Sequence, residues 1–61
     1  MANKARFSHL TTDNKQKLID TMREFTLSGY RVTHDDEGED FRDVMMRKEQ
    51  RRVLLTWERS S

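Results

Sequence analysis

Residues Phe41 to Trp57 read FRDVMMRKEQRRVLLTW, two apolar runs on either side of a short basic segment. Phe41, Val44, Met45 and Met46 lie before the break, and Val53, Leu54, Leu55 and Trp57 after it. Aromatic and β-branched residues suit a pleated, half-buried surface, so the simplest reading is a β-hairpin with a basic tip. Much of the core-forming material of a very small chain sits here. Whatever else folds must cover this hairpin.

The chain has 61 residues, which limits it to one domain near the size where folding alone is marginal. A core of this size rarely supplies more than roughly 3–5 kcal/mol of net stability. There are no cysteines, so neither disulfides nor thiolate-bound metals can help. Self-association is one route by which such a chain gains buried area.

Upstream, Leu18, Ile19, Met22 and Phe25 recur at helical spacing between Thr12 and Ser28, with Lys17, Asp20, Arg23 and Glu24 on the other side. Thr11, Thr12 and Asp13 are candidate N-caps, and Asp13 with Gln16 has the spacing of a capping box. Gly29 follows the last periodic residue and suits a left-handed helix stop. After it the period changes. Tyr30, Val32 and His34 alternate with Arg31 and Thr33, then DDEGED supplies a turn in which Gly38 can take positive φ.

These elements predict an α+β fold, one amphipathic helix packed on a three-stranded antiparallel β-meander in two layers, α-β-β-β. Residues 1–10 read as a flexible N-terminal arm and 11–61 as the domain. Register follows from loop parity, because a one-residue slip turns every side chain to the other face. An odd second loop, with a two-residue first turn at Glu37 and Gly38, sets Tyr30, Val32, Phe41, Met45, Val53, Leu55 and Trp57 against the helix. It leaves Arg31, Thr33, Arg42, Val44, Met46, Arg52, Leu54 and Thr56 on the open face. A rival reading makes Glu39 to Arg59 one long helix, but Lys48, Arg51 and Arg52 would interrupt its apolar stripe.

Function is bounded mostly by exclusion. No apolar run could span a membrane and MANKARFSH lacks the apolar segment of a signal peptide, so a cytoplasmic location is expected. His9 and His34 are the only imidazoles, and no nucleophile–base–orienter pattern surrounds them. With no room for a pocket, neither an enzyme nor a small-molecule substrate is expected. The acidic run Asp35, Asp36, Glu37, Glu39, Asp40 beside His34 fails the Ca²⁺-loop pattern, and adjacent strand carboxylates point apart, so no metal or other cofactor is expected.

Two surfaces remain. Val44, Met46 and Leu54, bordered by Arg31, Arg42 and Arg52, predict a protein-docking face whose partner is another protein or a second copy of the chain. The alternative partner is nucleic acid, held by Arg47, Lys48, Arg51 and Arg52 at the basic hairpin. Lys and Arg number 12 against 11 Asp and Glu, so any such binding depends on local clustering and not on bulk charge.

Overall fold

A computed structural model describes residues 6–60. Strand β1 (Arg6–Thr12) leads into helix α1 (Lys15–Leu27), followed by strands β2 (Arg31–Glu37), β3 (Phe41–Lys48) and β4 (Arg51–Glu58). The strands form one sheet in the order β1-β4-β3-β2, with β1 parallel to β4 and the other two pairings antiparallel. The α+β class and the helix-on-sheet layering agree with the sequence reading. The sheet, however, is four-stranded and mixed where a three-stranded meander was expected. Residues 6–10 of the anticipated arm belong to β1; residues 1–5 lie outside the described part of the chain.

The helix forms where its apolar spacing places it. Its N-cap is Asn14, one residue beyond the three candidates, and Asn14 Oδ1 accepts from the amides of Gln16 and Lys17 at 3.0 and 3.2 Å. Two otherwise orphaned first-turn donors are satisfied in this way. The other end closes as a Schellman motif. Gly29 takes φ 102°, its amide bonds Thr26 O at 3.0 Å, and the Tyr30 amide bonds Phe25 O at 3.0 Å. The Tyr30 and Phe25 rings then meet edge to face at 4.9 Å, the apolar contact that usually accompanies this cap. Lys48 Nζ donates to Ser28 O at 2.6 Å, adding positive charge where the helix leaves unpaired carbonyls.

Helix α1 lies over β4 and β1. Beneath it Leu18, Val44, Met46, Val53, Leu55 and Trp57 form the buried core, with Met22, Phe25 and Tyr30 packed at its margin. This corrects the predicted faces. Val44 and Met46 are fully buried against the helix layer, while Phe41 and Met45 point away from it. The cause is loop parity. Lys48 pairs with Arg51, so the β3–β4 loop is the two residues Glu49 and Gln50, an even number.

The β2–β3 turn also differs. The Gly38 amide bonds Phe41 O at 2.9 Å, so the loop residues are Glu39 and Asp40, and not Glu37 and Gly38. Gly38 has no positive φ; its place is set by the Phe41 ring, which an added Cβ would overlap. Glycine is required there by the aromatic ring lying over it. A bulge between Val32 and His34 then resets the β2 register, and Thr33 Oγ1 donates to Met45 O at 3.3 Å.

Candidate functional site: the outer sheet face

One helix covers one side of the sheet, and side chains alternate across each strand, so the opposite side is an outer face. The register resolves it into rows running across the strands. The first is Phe7, Arg52, Arg47 and Arg31; the second is His9, Leu54, Met45 and His34. The third is Thr11, Thr56, Asp43 and Asp36, and Glu58 with Phe41 closes the end. Charge is therefore sorted along the strand direction. Arginines occupy one end, acids the other, and Leu54 with Met45 lies between them.

Each row has a local physical consequence. Arg31 stands opposite Arg47, and Arg47 opposite Arg52, although like charges directly across strands are destabilising. Asp43 opposite Asp36 repeats the conflict with acids. Among the described residues the ion pairs are Arg42–Asp35 and Arg59–Asp40, so none of these residues neutralises either row through a close ion pair. The Arg47 Nε–H donates to the Glu49 carbonyl at 2.8 Å, which orients the side chain but supplies no counter-charge. In the centre, His9 Nε2 and Thr56 Oγ1 share a hydrogen bond of 3.1 Å, and Thr56 is buried despite facing outward. Phe7 and Phe41 remain 54% and 37% exposed, leaving aromatic surface at both ends of the face.

The predicted docking residues are thus divided. Arg31, Arg52 and Leu54 do lie on the outer face; Val44 and Met46 are core. Arg42 is on the helix side of the sheet, beyond the helix, where its Nε and Nη2 donate to Asp35 at 3.1 and 2.8 Å. Those hydrogen bonds hold the Asp35 carboxyl below the ordinary aspartate range, partly opposed by burial. The predicted nucleic-acid residues divide too. Arg47 and Arg52 face outward, whereas Lys48 and Arg51 face the helix side and Lys48 is engaged with Ser28.

Sequence reasoning passed over Met45, Phe41, Phe7, Asp43 and Asp36 as members of this face. An even β3–β4 loop would have found the first two and Asp43.

Elsewhere the surface offers less. A cleft of about 170 Å³ between β1 and α1 is lined by Leu10, Lys17, Leu18, Thr21 and Leu55, with no convergent ionisable pair. Among the described residues no three His, Cys, Asp or Glu side chains gather as a metal site, and no helix is long and apolar enough to cross a membrane. In comparison with known proteins, no family model matches the chain, and no curated protein or solved structure matches it significantly.

Proposed function

We propose that this chain is a non-enzymatic interaction module that docks a protein through its outer sheet face. The observation that supports this reading most is the row His9, Leu54, Met45 and His34 at the centre of a face that no other described element covers, flanked by opposed charges. A two-layer fold buries one side of its sheet only, so the apolar centre of the other side gains from a partner that excludes water. Arginine forks and methionine are side chains enriched where proteins meet, and the charged rows fix orientation.

The test is a paired substitution on this face. Met45→Asp with Leu54→Lys should leave the helix and sheet signals of circular dichroism intact, since neither residue belongs to the core. Protein association retained by the parent chain after nuclease treatment should be lost. A folded double variant that keeps every association of the parent overturns the reading.

A second reading rests on Arg31, Arg47 and Arg52 standing in register with Phe7 beside them. Such a row suits phosphates and one stacked base. It predicts a salt-sensitive gel shift on single-stranded RNA or DNA that Arg47→Glu with Arg52→Glu abolishes. No shift at low salt removes it.

A further inference from the structure

We infer that the occupant of the outer face is a second copy of this chain, turned end for end about a two-fold axis running across the strands. This rests on the docking reading above and names its partner.

Charge self-complementarity points to this occupant. A two-fold contact presents one patch to itself, so every residue must meet what the rotation brings over it. An axis along the row His9, Leu54, Met45, His34 keeps that row facing its own image. It carries the arginine row of one copy over the Thr56, Asp43, Asp36 row of the other. Strand positions across the sheet are unchanged, so β3 lies over β3 and β2 over β2. Arg47 then faces Asp43 of the second copy and Arg31 faces Asp36, while Arg52 lies over Thr56, which is buried and bonded to His9 within its own chain. Symmetry repeats each contact.

This pairing accounts for what one chain leaves unexplained. Arg31, Arg47 and Arg52 oppose one another, as do Asp43 and Asp36, and each arrangement costs stability in the monomer. The two conflicts sit at opposite ends of the face, with Leu54 and Met45, flanked by His9 and His34, midway between them. End-for-end pairing gives Arg31 and Arg47 an acid each and gives both acids an arginine, which relieves both conflicts at once and leaves Arg52 alone without a counter-charge. An unrelated acidic partner would answer the arginines and leave Asp43 and Asp36 opposed. A polyanion would do the same and be repelled by the acidic end.

Face-to-face sheets pack about 10 Å apart, a gap that facing Arg and Asp side chains fill. Size sets the strength. Four strands spaced about 4.8 Å apart and about seven residues of rise make a face of roughly 19 by 23 Å. Two such faces bury on the order of 900 Å², below the range of stable interfaces and in that of weak, transient ones. The dimer should therefore be reversible and concentration-dependent.

Charge exchange tests it. Sedimentation of the parent chain over a dilution series should show the mass moving from twice the chain mass to the chain mass. Arg47→Asp and Asp43→Arg should each remain monomeric, because each makes the facing pair like-charged. Both relieve a like-charge opposition within the chain, so their folding should be kept, as melting checks. Mixing the two variants should restore the doubled mass. One variant then carries only acids at positions 43 and 47, and it meets a partner carrying only arginines there. The double exchange in one chain should dimerise again.

A parent chain that stays monomeric at every concentration overturns the inference, as do single variants that dimerise like the parent. Failure of the mixed variants to pair, with both folded, overturns the two-fold register. The docking reading itself survives a monomeric parent. It falls only if Met45→Asp with Leu54→Lys leaves all partner binding unchanged.

Discussion

The indole nitrogen of Trp57 donates to the backbone carbonyl of Asp13 across 3.1 Å of space and 44 residues of chain. It thereby ties the end of β4 to the turn between β1 and α1. The same turn is held by the Asn14 amide, which donates to Thr12 Oγ1 at 3.1 Å, and Lys15 Nζ stands 5.6 Å from the Trp57 ring. Trp57 is thus both core filler and anchor for the element that carries the helix. Trp57→Phe keeps most of the burial and loses the donor, and should cost about 1 kcal/mol in urea unfolding. Trp57→Ala should cost roughly 3–5 kcal/mol, enough to unfold a chain of this size. Equal costs for the two variants would show that the hydrogen bond to Asp13 contributes little.

Met46 and Leu54 separate the two sides of the sheet. Met46 has no exposed surface beneath the helix, while Leu54 is half-buried on the outer face. Met46→Asp places an unpaired carboxylate in the core and should abolish cooperative unfolding. Leu54→Lys should keep it, with a loss within about 1 kcal/mol, since a lysine stem can lie along the surface with its charge in water. Circular dichroism melts of the two variants check the face assignment directly. A stable Met46→Asp chain would reverse it.

How far the fold could be read in advance depended on whether a residue leaves a local signature. The helix was legible because Leu18, Met22 and Phe25 keep a helical period and Gly29 has no substitute at φ 102°. Strand β1 was not, because Phe7 and Leu10 lie on opposite sides of an edge strand and are 54% and 47% exposed. Neither face alternates strongly enough to mark a strand. The candidate site was half legible for one reason. Lys48-Glu49-Gln50-Arg51 contains no Gly, Asn or Pro to announce a two-residue turn, and Glu49 adopts φ 54° against its own preference. Parity then decided every side chain of β3. Val44 and Met46 therefore lie beneath the helix and Phe41 and Met45 outside it, the reverse of the faces an odd loop implies, while Arg31, Arg52 and Leu54 are on the outer face under either parity.

Glu49 carries its own consequence. A residue with a Cβ held at φ 54° costs roughly 1 kcal/mol relative to glycine in the same conformation. The contact made by this residue to Arg47 uses its backbone carbonyl, which glycine would retain. Glu49→Gly should therefore stabilise the chain by about 0.5 kcal/mol, after the extra entropy of unfolded glycine is subtracted. The change would appear as a higher urea midpoint at unchanged slope. A lower midpoint would mean that the Glu49 side chain has a stabilising role of its own.

Asp35 and Arg42 set the acid behaviour of the β2–β3 edge. The two hydrogen bonds from the Arg42 guanidinium are the largest cause holding the Asp35 carboxyl below its ordinary range. Burial opposes them, and the positive charges of Arg42 and His34 assist. The folded carboxylate therefore takes up a proton less readily than the unfolded one, so in acid the unfolded state binds more protons and stability rises with pH. This contribution is complete above the ordinary aspartate value of about 3.9 and is lost as pH falls through the lower folded value. Both side chains keep contact with solvent, so screening limits the pair to about 0.5 kcal/mol despite its two-pronged geometry. Asp35→Asn should melt about 2–4 °C below the parent at neutral pH, given the unfolding entropy of a domain this small. The gap should narrow as the pH falls below the ordinary aspartate range and the parent carboxyl begins to take up its proton as well. A gap that persists unchanged in acid would assign the loss to something other than the charge on Asp35.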